Sequence, residues 1–263
     1  MKWTHLGQHF LVNRHAAEKI VKAFLPVRGP ILEVGPGKGI LTQLLIQYCP
    51  HNKIAAVELD TALYHELKAR FGSTVDLLNR DLLQVDAGEL FPGEVTGVNV
   101  IGNVPYYISR DLVDWVITQR EIIVRGMFMM QKEFVERLLA GKGSRKVNAR
   151  SIMFNGLFRV KKCFDLQPGS FSPPPQVKST LFLYERRSGG IAQGIDIDDF
   201  YAFLQVCFSK RRKTLVNTLA LYPGLEIPAE VLNTLGICPQ ARAEQLSLGN
   251  FLELYRFTRN LRG

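Results

Sequence analysis

Between Ile31 and Tyr184, short apolar runs alternate with longer amphipathic stretches, and this rhythm restricts the chain to few architectures. Pro30 to Val34, Ile54 to Val57, Val75 to Leu78, Val98 to Ile101 and Met127 to Met130 read as strands. Helical patterns around Leu41 to Tyr48, Thr61 to Phe71, Arg110 to Arg120 and Glu133 to Ala140 separate them. Such alternation predicts an α/β, Rossmann-like domain: a mostly parallel sheet with helices on both faces. Segments Cys163 to Leu166 and Thr180 to Tyr184 are expected to be later, antiparallel strands. The run Arg186-Arg187-Ser188-Gly189-Gly190 breaks the pattern, and Asp196 or Asp198 can cap a helix after it. From there, Asp199 to Leu221, Pro228 to Gly236 and Ser247 to Arg262 read as helices. The expected division is a sheet domain over residues 1–188 and a small all-α domain over 189–263.

Composition narrows the class. A chain of 263 residues, 46% hydrophobic, can bury a full core. No apolar run approaches the roughly 18 residues that a membrane helix needs. The start, Met1-Lys2-Trp3-Thr4-His5, carries no secretory apolar stretch, so a cytoplasmic protein is expected. Cys49, Cys163, Cys207 and Cys238 are scattered with no CxxC pair, and the five histidines form no ligand pattern, so no metal is expected. The balance of 33 Lys+Arg against 24 Asp+Glu favours a polyanionic partner, without choosing between RNA, DNA and an anionic membrane.

The chemistry-bearing residues fall at strand ends. Glu33-Val34-Gly35-Pro36-Gly37-Lys38-Gly39 lies between a strand and a helix, where glycines let the backbone turn tightly and approach a ligand. The dinucleotide fingerprint requires a third Gly where this chain has Ile40. Glycines at 35, 37 and 39 suit S-adenosylmethionine better, since that ligand has no pyrophosphate. Glu58 ends the second strand, where a carboxylate can accept from both ribose hydroxyls, and Asp81 follows the third, where one can accept from the adenine amine. Either acid alone reads equally well as a solvated strand end or a helix cap. Three successive strand ends carrying suitable groups, with Asn103 on the fourth, mark the edge where open α/β sheets bind ligands. In Asn103-Val104-Pro105-Tyr106, the Asn oxygen and a backbone carbonyl can hold an amino group while the ring stacks on a base. That arrangement suits methyl transfer to an exocyclic amine.

Taken in order, these motifs resemble the rRNA adenine N6-methyltransferases, most closely the bacterial small-subunit (16S) rRNA adenine dimethyltransferases. Gly7-Gln8-His9-Phe10-Leu11 is similar to the family's GQNFL, Glu33 to Gly39 to EIGPGxG, and Asn103 to Ser109 to NLPYNIS. Gln131-Lys132-Glu133 and Phe171 to Val177 resemble QKE and FxPPPKV, while Phe208 to Thr214 and Arg242 to Ser247 resemble FxxRRKT and RAExLS. The resemblance implies S-adenosylmethionine contacts at His9, Leu11, Gly35, Glu58, Asp81 and Asn103, with Gly37 in the same turn. It also implies a target-adenine pocket with Asn103, Pro105 and Tyr106 as the catalytic group and Phe171 as a second aromatic wall. The implied reaction places two methyl groups on N6 of each of two adjacent adenosines near the 3′ end of small-subunit rRNA, in a pre-ribosomal particle, with the enzyme a monomer.

The chain departs from the family pattern at several positions. His9 replaces Asn, Tyr107 replaces the second Asn of NLPYNIS and is expected to widen the floor of the target pocket, Lys178 replaces Asp, and Asn148-Ala149-Arg150 replaces YGR. Lys210 to Lys213, the loop Gly141 to Lys146, and Arg256, Arg259 and Arg262 could track phosphates or simply form solvated faces. Phe10, Phe134 and Phe158 read as core residues. Two other functions compete: a large-subunit rRNA adenine methyltransferase of the macrolide-resistance type, and a non-catalytic ribosome-assembly or nucleic-acid-binding factor.

Overall fold

Asn13 opens the first helix by accepting a 2.9 Å hydrogen bond from the Ala16 amide, and Ala17, Ile20, Val21 and Phe24 then recur on one buried face. In the computed structural model, which describes residues 8–93, 97–191, 194–222 and 227–260, a two-residue strand β1 (Phe10–Leu11) precedes this helix, α1 (Arg14–Phe24). Strand β2 (Ile31–Val34), α2 (Ile40–Tyr48), β3 (Ile54–Glu58), α3 (Thr61–Phe71) and β4 (Asp76–Asn79) come next in strict alternation. They lead to β5 (Val98–Asn103), α4 (Ser109–Thr118), β6 (Ile123–Gln131), α5 (Lys132–Leu138) and α6 (Ala149–Leu157). Strands β7 (Phe158–Leu166), β8 (Phe171–Ser172) and β9 (Ser179–Arg186) complete the sheets, and α7 (Ile197–Cys207), α8 (Leu215–Leu219), α9 (Ala229–Thr234) and α10 (Leu248–Asn260) end the chain.

The chain divides into two compact units. The first takes residues Met1–Val135 and Phe158–Arg186; the second takes Glu136–Leu157 and Arg187–Gly263. The first holds a seven-stranded sheet of order β4-β3-β2-β5-β6-β9-β7. Strands β4 to β6 run parallel, and β9 is antiparallel to both β6 and β7. From β2 the chain steps outward to β3 and β4, then returns to lay β5 on the other side of β2. That reversal opens a crevice at the C-terminal ends of β2 and β5, where ligands bind in such sheets. A two-stranded antiparallel sheet pairs Leu11 of β1 with Phe171 of β8.

Parallel strands covered on both faces need apolar residues at successive positions, and β2, β3 and most of β5 are buried residue by residue. At the β6–β9 pairing, Gly126 lies opposite Tyr184, which is fully buried among Phe128, Phe158 and Phe182. A Cβ at 126 would stand 2.2 Å from the tyrosine hydroxyl. Gly126→Ala is therefore expected to destabilise the protein by about 3 kcal/mol in urea denaturation, near the upper range for an overpacked core.

The second unit is helical, and the segment 136–157 belongs with it, although it precedes β7 in sequence. There α6 is fixed by a reciprocal cap: the Ser151 amide donates to Asn148 Oδ1 at 3.1 Å, and the Asn148 amide to Ser151 Oγ at 3.0 Å. Asn148, a departure from the family pattern, is thus a helix cap. The long helix expected over Asp199 to Leu221 is two helices. Four consecutive cations at Lys210 to Lys213 oppose a continuous turn, and Thr214 starts α8 by accepting from the Asn217 amide. Asp196 caps α7, with Oδ1 receiving the Asp198 and Asp199 amides at 3.0 Å each.

Candidate active site

The β2–α2 connection is built from left-handed backbone. Gly37 and Gly39 have φ of +55° and +77°, and a Cβ on Gly39 would lie 2.7 Å from the Phe71 ring. Only glycine satisfies both constraints. A Cβ on Gly37 would meet Phe10 at 3.0 Å, so the loop rests on that ring. Phe10, expected in the core, is half-buried and lines the crevice, with the Lys38 ammonium 5.2 Å from its ring centre.

Glu58 holds this loop from the neighbouring strand. Its Oε2 accepts the Gly37 amide and its Oε1 the Asp60 amide, each at 3.0 Å. Burial raises its pKa, and the two backbone donors oppose that rise. Each oxygen keeps a second lone pair, so the bidentate ribose contact read from the sequence remains available. Asp81 lies outside the pocket lining; its Oδ1 accepts the Leu83 amide at 3.0 Å, which leaves Oδ2 for an external donor.

Glu33 is the residue that sequence reasoning passed over, although it opens the glycine motif. It is 1% exposed, lines the pocket, and its Oε2 has no hydrogen-bond partner. Burial pushes its carboxyl up to about 7; the adjoining Thr42 hydroxyl and backbone pull against that rise, and the Glu58 carboxylate adds to it. A buried carboxyl that lines a pocket with one oxygen unpartnered suits a cationic ligand.

At the far side of the crevice, Asn103 ends β5. Its Nδ2 donates to the His9 carbonyl at 2.9 Å, which fixes the amide so that Oδ1 is left as an acceptor. The Pro105 carbonyl already accepts the Ile108 amide at 3.2 Å and retains one lone pair. The Tyr106 hydroxyl shares a 2.7 Å hydrogen bond with Ser179 Oγ, and burial raises its pKa. The His9 ring lies 5.5 Å from the Tyr106 ring at a 40° tilt. Since the Pro173 carbonyl can only accept, the 2.7 Å contact makes His9 Nδ1 the protonated nitrogen.

His9, Leu11, Gly35, Gly37, Glu58, Asn103, Pro105 and Tyr106 thus meet in one pocket. Phe171 does not line it: at 4% exposure it packs in the core cluster beside Leu11. Tyr107 is 43% exposed and does not line the pocket; burial raises the pKa of its phenol, and the Asp81 and Glu58 carboxylates add to that rise. The residues present fit S-adenosylmethionine: the unpartnered Glu33 oxygen suits its cationic end, and the glycine turn admits it closely.

A family model described as ribosomal RNA adenine dimethylase matches residues 2–260. The chain belongs to that family. Among curated family relatives, a ribosomal RNA small subunit methyltransferase A of Acidobacterium capsulatum is 38% identical over 95% of this chain and 89% of its own length. Another of that name from Xylella fastidiosa is 35% identical over 94% and 92%. A dimethyladenosine transferase of Plasmodium falciparum superposes with a TM-score of 0.79 at 25% identity, covering 97% of this chain and 98% of that one. A 23S rRNA methyltransferase shares the fold, with a TM-score of 0.70 at 23% identity over 94% and 98%. The family resemblance drawn from the motifs is borne out, as is the Rossmann-like α/β fold.

Proposed function

We propose that this protein is an S-adenosylmethionine-dependent dimethyltransferase acting on N6 of two adjacent adenosines near the 3′ end of small-subunit rRNA. The observation that carries this reading is that Asn103 lines the pocket with its amide nitrogen held by the His9 carbonyl, which leaves its side-chain oxygen as an acceptor. The adenine N6 lone pair is delocalised into its ring, so the amine attacks poorly while planar. Asn103 Oδ1 and the Pro105 carbonyl would each accept one N6 hydrogen and favour a tetrahedral nitrogen. Tyr106, anchored by Ser179, would stack on the base. S-adenosylmethionine, when bound, supplies a methyl group already activated on a sulfonium. These residues therefore act mainly by positioning.

Small-subunit rRNA is favoured over large-subunit rRNA by the names of relatives 35% to 38% identical over nearly the whole chain. The helical unit offers a phosphate-binding surface. Arg211 donates to the Arg145 and Val147 carbonyls, so it ties the basic 141–146 loop to the exposed Lys210, Arg212 and Lys213. Arg259, by contrast, is paired with Asp199, and Arg262 lies outside the described residues. No described helix is long and apolar enough to cross a membrane, and no His/Cys/Asp/Glu group among the described residues could hold a metal ion. We place the protein in the cytoplasm as a monomer acting on a pre-ribosomal small-subunit particle.

Labelled S-adenosylmethionine and small subunits lacking the modification test the reading. About four methyls per subunit, on two adjacent adenosines, is the expected transfer, each N6 having two replaceable hydrogens. Transfer to large-subunit rRNA instead would overturn the substrate assignment, and failure to bind cofactor would leave a non-catalytic RNA-binding factor.

A further inference from the structure

The helical unit holds a cavity of its own, an open recess of about 350 Å³, a size that suits a small ligand. Buried Ile237 and Leu246 give it an apolar lining, and Lys142, Gln240, Gln245 and Asn250 bring polar side chains to it. Lys142 arrives on the basic 141–146 loop, which is tied down where the Gly143 amide donates to the Glu244 carbonyl at 2.8 Å. In each of the carboxamides the oxygen is taken internally. Gln240 Oε1 accepts the Cys238 thiol at 3.2 Å, and Gln245 Oε1 accepts the Arg242 amide at 2.7 Å. Asn250 Oδ1 accepts both the amide and the hydroxyl of Ser247, at 3.0 and 2.7 Å. The end left over in each is the amide nitrogen, which has no acceptor among the described residues. Lys142 has no ion-pair partner among them either, and no Asp or Glu among the described residues lines the recess.

The amides and the ammonium together offer only donors, so the recess fits a ligand that is anionic and rich in acceptors. We propose that it takes one unpaired uridine nucleotide of the RNA substrate, with the phosphate at Lys142 and the uracil against Ile237 and Leu246. This rests on the reading of the helical unit as an RNA-binding surface. Uracil is flat with apolar faces, and its two carbonyls flank a single N–H, so its edge can accept from the carboxamides on either side. Cytosine and adenine carry an amino group where uracil and guanine carry a keto oxygen, and guanine adds an amino group of its own. Each of those amino groups would set donor against donor. Lys210 and its neighbours can neutralise phosphates, which carries no sequence information; the recess selects a base by its edge.

Binding of oligouridylate and oligocytidylate, equal in length and matched in salt, to the full chain tests the recess. Wild type is expected to prefer uridine about tenfold, as for exchange of an acceptor for a donor at one position. Gln240→Glu keeps the oxygen beside Cys238 and turns the donor into an acceptor, so the preference is expected to vanish. Lys142→Ala is expected to weaken both oligonucleotides alike and to lower the salt dependence by about one phosphate contact. Binding of unmodified small subunits, measured beside these, reports on the RNA reading: wild-type protein that retains none would sink that reading. With subunit binding intact, absent or equal affinity for the two oligonucleotides would overturn the uridine site, and so would a preference that survives Gln240→Glu. Undiminished binding in Lys142→Ala would overturn it as well, since the phosphate would then lie elsewhere.

Discussion

Replacing Asn103 by Ala is expected to lower the methyl-transfer rate about a thousandfold, the scale on which removal of one preorganised polar group from a reacting centre acts. The side chain works with both ends. Its nitrogen is tied to the His9 carbonyl, so the oxygen is held in place before substrate arrives and needs no reorganisation during reaction. Ala removes the acceptor and leaves the His9 carbonyl without its donor. Asn103→Asp separates these effects: it keeps an oxygen but sets a carboxylate against a carbonyl, so the side chain should swing away and the rate should again fall. Single-turnover transfer at saturating cofactor is the measurement, because it reads the chemical step apart from cofactor affinity. A rate within tenfold of wild type for Asn103→Ala would show that the Pro105 carbonyl and Tyr106 suffice to orient the amine.

Much of this site was legible because it lies at strand ends, where period and position are easily read. The apolar runs placed β2 to β6 within a few residues, and the motif after each strand then fell at one sheet edge. Helix α3 was read to the residue because Asp60 caps it and nothing interrupts its pattern. Helices α1 and α6 were passed over although Asn13 and Asn148 both carry capping signals: α1 precedes the alternating stretch, and α6 follows helix α5 with no strand between them, which breaks the alternation. Phe171 shows a different limit. It sits in a two-residue strand, too short for any periodicity to reveal, so its pairing with Leu11 and its burial were invisible in sequence. Glu33 was hidden by its surroundings. An acid inside an apolar strand signals a site only once its oxygen is known to be buried and unpartnered.

That burial leads to the second large effect: Glu33→Gln should stabilise the free protein above neutral pH while weakening its hold on cofactor. The Glu33 carboxyl has an ordinary pKa of 4.5 and is raised by burial to about 7 in the folded chain. Below 4.5 both states are protonated and the residue carries no ionisation penalty. As pH rises from there towards 7, the unfolded chain gives up its proton first, so the folded state binds more protons and stability falls with pH. Above 7 both forms are ionised and the penalty levels off at about 3 kcal/mol. A glutamine of the same shape has no proton to lose. Urea denaturation should therefore show Glu33→Gln nearly equal to wild type at pH 4.5 and more stable at pH 8, by up to that amount. The penalty in the wild type maintains a negative charge where the proposed cofactor brings an ammonium and a sulfonium, and the uncharged variant should bind it more weakly. Equal stability of the two proteins at pH 8 would mean that the pocket is hydrated enough to solvate the carboxylate. In that case Glu33 would hold its charge without penalty, and the trade between stability and binding would disappear.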